Sequence, residues 1–168
     1  MIGPVRHSAE AILSATTVLA AVRRRAYGGV LVLAYHNIVP DGAVVSGDPS
    51  LHLRQSDFAR QLDALMALCD VVPLDRVLER TTSLRPRAAL TFDDGYRGAL
   101  TVGAAELRAR RLPATYFISP GLLGGSFWWD EVAGGATLPD SVRDHALGAL
   151  RGRGRAVRAW ALATGRAL

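Results

Sequence analysis

Apolar positions in this chain fall into runs of two kinds. Val30 to Tyr35, Val71-Val72, Ala88 to Phe92 and Ala114 to Ile118 are short and nearly unbroken, with β-branched and aromatic residues among them. Such runs predict strands of a parallel sheet, and for Val30 to Tyr35 a strand buried on both faces. Between them the spacing turns helical. Phe58, Leu62, Leu65, Met66 and Leu68 share one face of a predicted helix over Asp57 to Leu68, with Ser56 as its N-cap and Met66 as core filler. Leu74 to Arg80 predicts a short helix. Tyr96 to Arg111 predicts a longer one, weakened at Gly98 and Gly103 and closed by Pro113. Strand, helix, strand, in that repeated order, defines an α/β protein whose parallel strands are joined by helical crossovers.

The strand run at Ala88 to Phe92 ends in Asp93-Asp94-Gly95. Two readings stand side by side. Asp caps helices and Gly supplies positive φ, so the triplet is ordinary turn chemistry. Alternatively, two carboxylates at the C-terminal end of a buried strand sit where α/β folds place ligands, and their charge calls for a compensating cation. His36 ends the first strand in the same way, and in a parallel sheet it would share a rim with the acids. A histidine at a strand terminus is more often structural than catalytic, and the shared rim brings the two readings level here.

Composition narrows the function classes. The formal net charge is +5 and the pI near 10.3, yet all twenty basic residues are arginine. Their spread, dense only at Arg23 to Arg25 and from Arg151 to Arg158, is that of a coding bias and not of a nucleic-acid face with interleaved aromatics. The absence of lysine removes the phosphate-binding Gly-rich loop and the acidic phosphoryl sites that need an amine. Ser126 follows two glycines but lacks the glycine two residues on that a nucleophile elbow requires. The single cysteine, Cys69, lies in an apolar run and reads as a small buried hydrophobe.

The flanks carry weaker signals. Residues 9–22 are moderately apolar but too short and too interrupted to span a bilayer, and the arginines follow them where a signal peptide has them first. An amphipathic helix packed on the domain is the expectation, with a membrane-surface role as the lesser alternative. No export signal is evident, which leaves the cytoplasm as the default location. Trp128 and Trp129 beside Phe127 read equally as a sugar-stacking platform or as a hydrophobic plug. Beyond Gly135 the pattern predicts two Arg-rich helices, Asp140 to Leu150 and Arg155 to Ala163, with Trp160 buried between them.

Taken together, Leu33-Ala34-Tyr35-His36-Asn37, Leu90-Thr91-Phe92-Asp93-Asp94-Gly95-Tyr96, Leu112-Pro113-Ala114-Thr115-Tyr116-Phe117 and Phe127-Trp128-Trp129-Asp130 resemble the polysaccharide deacetylase family, carbohydrate esterase family 4, the NodB homology domain. The resemblance implies a distorted (β/α) barrel, TIM-like in plan, that hydrolyses the carbon–nitrogen bond of N-acetyl sugars, or acetyl esters, with one divalent metal such as zinc. It implies Asp93 as general base and Asp94 as metal ligand; beside these, the residues themselves offer His36 as a further metal donor on the same rim and Tyr96, Trp128 and Trp129 as candidate sugar contacts. Adjacent acids suit that work, because a turning backbone can aim one carboxylate at a cation and the other at a water.

One part of the pattern is missing. The family takes further ligands from a His-x-x-x-His motif, whereas the histidines here, His7, His36, His52 and His145, are nowhere so spaced. Catalytic zinc takes three protein ligands. The expectation is therefore the N-terminal half of such an enzyme, about four parallel strands of a barrel. It would be organised as an N-terminal helical segment (1–27), a partial deacetylase domain (28–132) and an Arg-rich helical tail of the same truncated domain (133–168). Such a half would be inactive alone and a poor folder. Its partner is a carbohydrate, with neither nucleic acid nor a transmembrane span expected. The alternative is a non-catalytic, carbohydrate-binding remnant.

Overall fold

The computed structural model describes residues 29–165, so the expected helix at residues 9–22 lies outside the described residues. The described chain forms a mixed α/β structure in two compact units. One comprises the residues up to Gly42 together with Leu53–Ile118; the other comprises Ala43–His52 and the residues from Ser119 onward.

The first unit is built on a parallel sheet. β1 (Val30–Tyr35) lies beside β5 (Arg87–Phe92) over its whole length, with Val30 opposite Arg87 and Tyr35 opposite Phe92. The other edge of β5 is shared. β4 (Asp70–Val71) pairs with its first two residues, and β6 (Thr115–Tyr116) with its last two. β5 is thus the central strand, and Ala88 to Phe92 are all buried. This is why its sequence shows no alternation. A separate two-stranded sheet joins β2 (Asn37–Val39) and β3 (His52–Arg54). The described strands form an open sheet, not a closed barrel.

α1 (Gln55–Leu68) buries Phe58, Gln61, Leu62 and Leu65, the spacing of one helical face. That face meets the side of the sheet carrying Tyr35 and Phe92. Phe58 stands edge-on to both rings, at 5.0 Å from Tyr35 and 5.8 Å from Phe92, and Tyr116 stacks on Phe92 at 4.9 Å. The Tyr35 hydroxyl donates to Gln61 Oε1 at 2.9 Å, which pairs two buried polar groups. Burial pushes the Tyr35 phenol well above its usual pKa, so it stays a donor.

Several expectations are corrected here. β1 is not covered on both faces: Leu33 and Tyr35 are buried, but Val32 is 49 % exposed and Ala34 is exposed. Ser56 is not the N-cap of α1. The helix begins at Gln55, and Ser56 instead gives its backbone N–H and hydroxyl to Asp41 Oδ1, so an upstream carboxylate satisfies that end. Met66 is 40 % exposed, because the apolar stripe is centred on Phe58, Leu62 and Leu65 and Met66 lies at its margin. The helix foreseen at Leu74 to Arg80 shrinks to a 3-10 turn at Leu74–Arg76, and the last strand to Thr115–Tyr116, leaving Phe117 and Ile118 substantially exposed. Cys69 is buried as a packing residue.

After β5 the chain turns into a helix wound as a π-helix at Ala99–Gly103 before α2 (Ala104–Arg110). Gly98 sits where this helix meets β2. A Cβ there would overlap the Ile38 carbonyl oxygen and Asn37 Oδ1, so only glycine permits the approach. Arg110 ties α2 to α1 through Asp63 and, within α2, also pairs with Glu106.

The second unit has a helical core. α3 (Trp128–Ala133), α4 (Asp140–Asp144) with the π-helical His145–Ala149, and α5 (Gly154–Ala163) bury Trp128, Val132, Leu138, Val142, Ala146, Val157 and Ala161 together. Trp160 is only half-buried and lies against the His145 ring at 4.6 Å. The segment Ala43–His52 belongs to this unit through Asp48. That carboxylate accepts from Ser50 N at 3.0 Å, Ser50 Oγ at 2.8 Å, Leu138 N at 3.4 Å and Arg143 Nη2 at 3.1 Å. No described helix is long and apolar enough to cross a membrane.

Candidate functional site

The central strand delivers Asp93 to the sheet's C-terminal rim. Its backbone N–H donates to the Tyr35 carbonyl at 2.9 Å, which extends the β1–β5 ladder one residue past Phe92. The parallel register then sets His36, the residue after Tyr35, level with Asp93. The chain reverses at once: Asp94 has φ 69° and Gly95 φ 82°, and Gly95 N–H donates to the Asp93 carbonyl at 2.9 Å. Glycine takes that conformation freely, whereas a side chain at Asp94 holds it at a cost of about 1 kcal/mol. The turn points the Asp94 carboxylate toward the neighbouring strand end. Asp94 Oδ2 lies 4.0 Å from His36 Nε2, with 23 % and 33 % of the two side chains exposed.

The rim therefore unites three of the residues singled out from the sequence: Asp93, Asp94 and His36. Tyr96 follows them in the chain, but its side chain is buried and presents little surface to a sugar. Trp128 and Trp129 belong to the helical unit. Trp128 is 7 % exposed and lies in that unit's core. Trp129 is half-buried, stacked on Phe127 at 4.8 Å and set edge-on to Trp128 at 5.3 Å.

The donors at the rim can be compared with what a metal needs. Two ligands of a tetrahedral zinc at about 2.1 Å stand roughly 3.4 Å apart. The His36–Asp94 pair stands somewhat wider, at 4.0 Å. The count falls short too, since no group of three or more His, Cys, Asp or Glu among the described residues is placed to hold a metal. A catalytic zinc takes three protein ligands, so the described residues do not by themselves fit one.

A second cluster of acids and a histidine, which the sequence reading did not foresee, lies in the helical unit. The His52 side chain is 4 % exposed, with Nε2 3.8 Å from Asp130 Oδ1, and the same oxygen accepts the Asp48 N–H at 3.1 Å. These partners are 78 and 82 residues apart, so no local motif could reveal the cluster. One clue was present: Asp48 followed by Pro49 is the signature of an N-cap with proline in the first turn, and the structure uses it so.

No family model matches the chain, and no curated protein matches it either. Among solved structures the chain is similar to IcaB from Ammonifex degensii, at 24 % identity and a TM-score of 0.44, over 54 % of this chain and 38 % of that one. It is similar also to a de-N-acetylase from Aggregatibacter actinomycetemcomitans, at 22 % identity and a TM-score of 0.47, over 58 % of this chain and 40 % of the other. A third is a polysaccharide deacetylase from Bacillus cereus, at 20 % identity and a TM-score of 0.43, over 55 % and 30 % of the two chains. The chain thus spans less than half the length of each.

Proposed function

We propose that this chain is part of a carbohydrate deacetylase, a hydrolase that removes N-acetyl or O-acetyl groups from a sugar polymer. The observation that carries the reading is the meeting of His36 and Asp94, 4.0 Å apart, at the rim where the central strand releases Asp93. In this reading Asp93 is the general base. It accepts a proton from the attacking water as the water oxygen bonds to the acetyl carbon; the C–N bond then breaks, the amine takes up a proton and acetate leaves. Asp94 and His36 are the donors turned toward a cation, and no step is assigned to a metal on this chain alone because the donor set is short by one. The isolated chain accordingly binds its substrate without turning it over.

Calorimetric titration with an N-acetylglucosamine oligomer and with its deacetylated counterpart tests the reading. Binding that favours the acetylated oligomer and weakens in Asp93→Asn is expected, and no binding of either sugar overturns it. Acetate release should be absent with zinc or cobalt supplied. Robust release that disappears in Asp93→Asn would uphold the reaction and overturn the claim that the site is incomplete.

A further inference from the structure

The strands also have a starting end, and it is built differently from the rim. A cleft of about 260 Å³ opens there between Gly29 and Val30 at the start of β1, Arg87 at the start of β5, and the loop from Val77 to Arg85. Of its two arginines, Arg85 is spent on the fold. Its guanidinium lies 3.3 Å from Asp70 Oδ1 and donates to the Cys69 carbonyl at 2.7 Å. Arg87 is not: among the described residues its side chain makes one hydrogen bond, from Nη1 to the Arg76 carbonyl at 2.5 Å, and no ion pair. The other N–H groups of that planar fork suit a phosphate oxygen.

The loop beside the cleft turns its leucines outward. Leu78 is 82 % exposed and Leu84 96 % exposed, so two whole apolar side chains stand in water, from which their removal is favourable. Around them the sequence places arginines at 76, 80, 85 and 87 against Asp75 and Glu79, with no aromatic residue on which a nucleic-acid base could stack. The chain also reaches Gly29 directly from Arg23-Arg24-Arg25. Apolar tips among cations match a surface that is anionic outside and apolar beneath. An anionic bilayer has both properties, and a nucleic acid has only the first.

We propose that this end of the sheet docks on a membrane of anionic phospholipid, with Leu78 and Leu84 entering the interface and a headgroup phosphate seated in the cleft on Arg87. The inference stands apart from the chemistry assigned to the rim. It adds an orientation: strands of six residues separate their two ends by about 20 Å, so the rim that carries Asp93 points away from the bilayer.

Co-sedimentation of the full chain with vesicles of phosphatidylglycerol and phosphatidylcholine, against vesicles of phosphatidylcholine alone, tests the proposal. Binding to the anionic vesicles only, weakening as salt rises, is expected. Leu78→Ser combined with Leu84→Ser, at exposed positions where the fold loses little packing, should lower affinity about tenfold, and Arg87→Gln several-fold, each checked for native circular dichroism. Sedimentation with neither vesicle, or equally with both, overturns the proposal. So does undiminished binding in the leucine variant: loss on changing Arg23, Arg24 and Arg25 to Gln would then place the contact there, and equal binding of single-stranded RNA would mark it as charge alone. Glycerol phosphate bound as tightly as the vesicles, by parent and leucine variant alike, would assign the cleft to a soluble phosphate and overturn the membrane.

Discussion

Asp48 and Asp94 are the same residue at two turns, and the structure uses them in opposite ways. Asp48 has a relaxed backbone, at φ −77° and ψ 110°, and its buried carboxylate receives four hydrogen bonds, one from an arginine. Asp94 is held in the left-handed region at φ 69°, partly exposed, with an imidazole nearby. A carboxylate that anchors a fold is surrounded by donors and costs the backbone nothing. The one assigned to chemistry in the proposed reading sits at a rim in a conformation the chain would not choose for itself. The two settings differ in burial, donors and backbone, differences that Asp-Pro and Asp-Gly sequences leave invisible.

The largest test of this contrast is Asp48→Ala. It removes a buried acceptor from Arg143, the Leu138 N–H and Ser50, and a loss of about 3 kcal/mol is expected in urea unfolding followed by tryptophan fluorescence. A change below about 1 kcal/mol would mean that Asp48 is no anchor. Next, Gly98→Ala forces a methyl group against the Ile38 carbonyl and should cost about 1–3 kcal/mol. Because the same helix follows the turn at Asp94, binding of the acetylated oligomer should weaken in the same variant. Asp94→Gly should act in the other direction. Removing the side chain from a positive-φ position relieves strain, so a gain of about 0.5–1 kcal/mol is expected alongside weaker binding of the acetylated oligomer. If Asp94→Gly destabilised the protein, the acid would belong with Asp48.

The smallest effect concerns carboxylates on the helix surface. The hydrogen bond from Arg110 holds Asp63 below the usual carboxylate range, and those from Gln55 and then Arg110 do so for Glu106. Folded values below the unfolded ones add stability above the ordinary carboxylate pKa of about 4. That stability is lost as the pH falls through the lowered values. Asp63 is largely exposed, so solvent screening keeps the whole contribution under about 1 kcal/mol. Arg110→Ala should therefore be slightly less stable than the parent at pH 7 and indistinguishable from it near pH 2, as read from urea midpoints.

The central strand was legible because Ala88 to Phe92 is apolar or small at every position, and full burial is what such a run means. The same rule failed one strand away. Val30 to Tyr35 is just as continuous, yet it lies on the far side of β5 from β4 and β6, and its Val32 face meets solvent. A run of apolar residues reports what a strand tolerates and not what covers it. The rim was foreseeable for a related reason: parallel strands end together, so two chemical residues at the ends of separate runs meet without any motif linking them. Asp48, His52 and Asp130 stayed hidden because their meeting depends on how helices far along the chain fold back, which periodicity does not encode. Trp128 was ambiguous for the same cause, since a tryptophan beside polar residues takes its role from what later packs around it.

The excursion of Ala43–His52 into the helical unit sets an order of events during synthesis. Its Asp48 bonds to residues 90 and 95 positions further on, so the ten-residue segment leaves the ribosome long before Leu138 and Arg143 exist. Until they emerge, the segment is a loop pinned at Gly42 and Leu53 with its acid waiting in water. Closing contacts across so many residues is slow compared with forming helices. The segment is therefore the part of the chain whose place depends most on residues far ahead of it, and loss of the Asp48 contacts should expose it first to limited proteolysis.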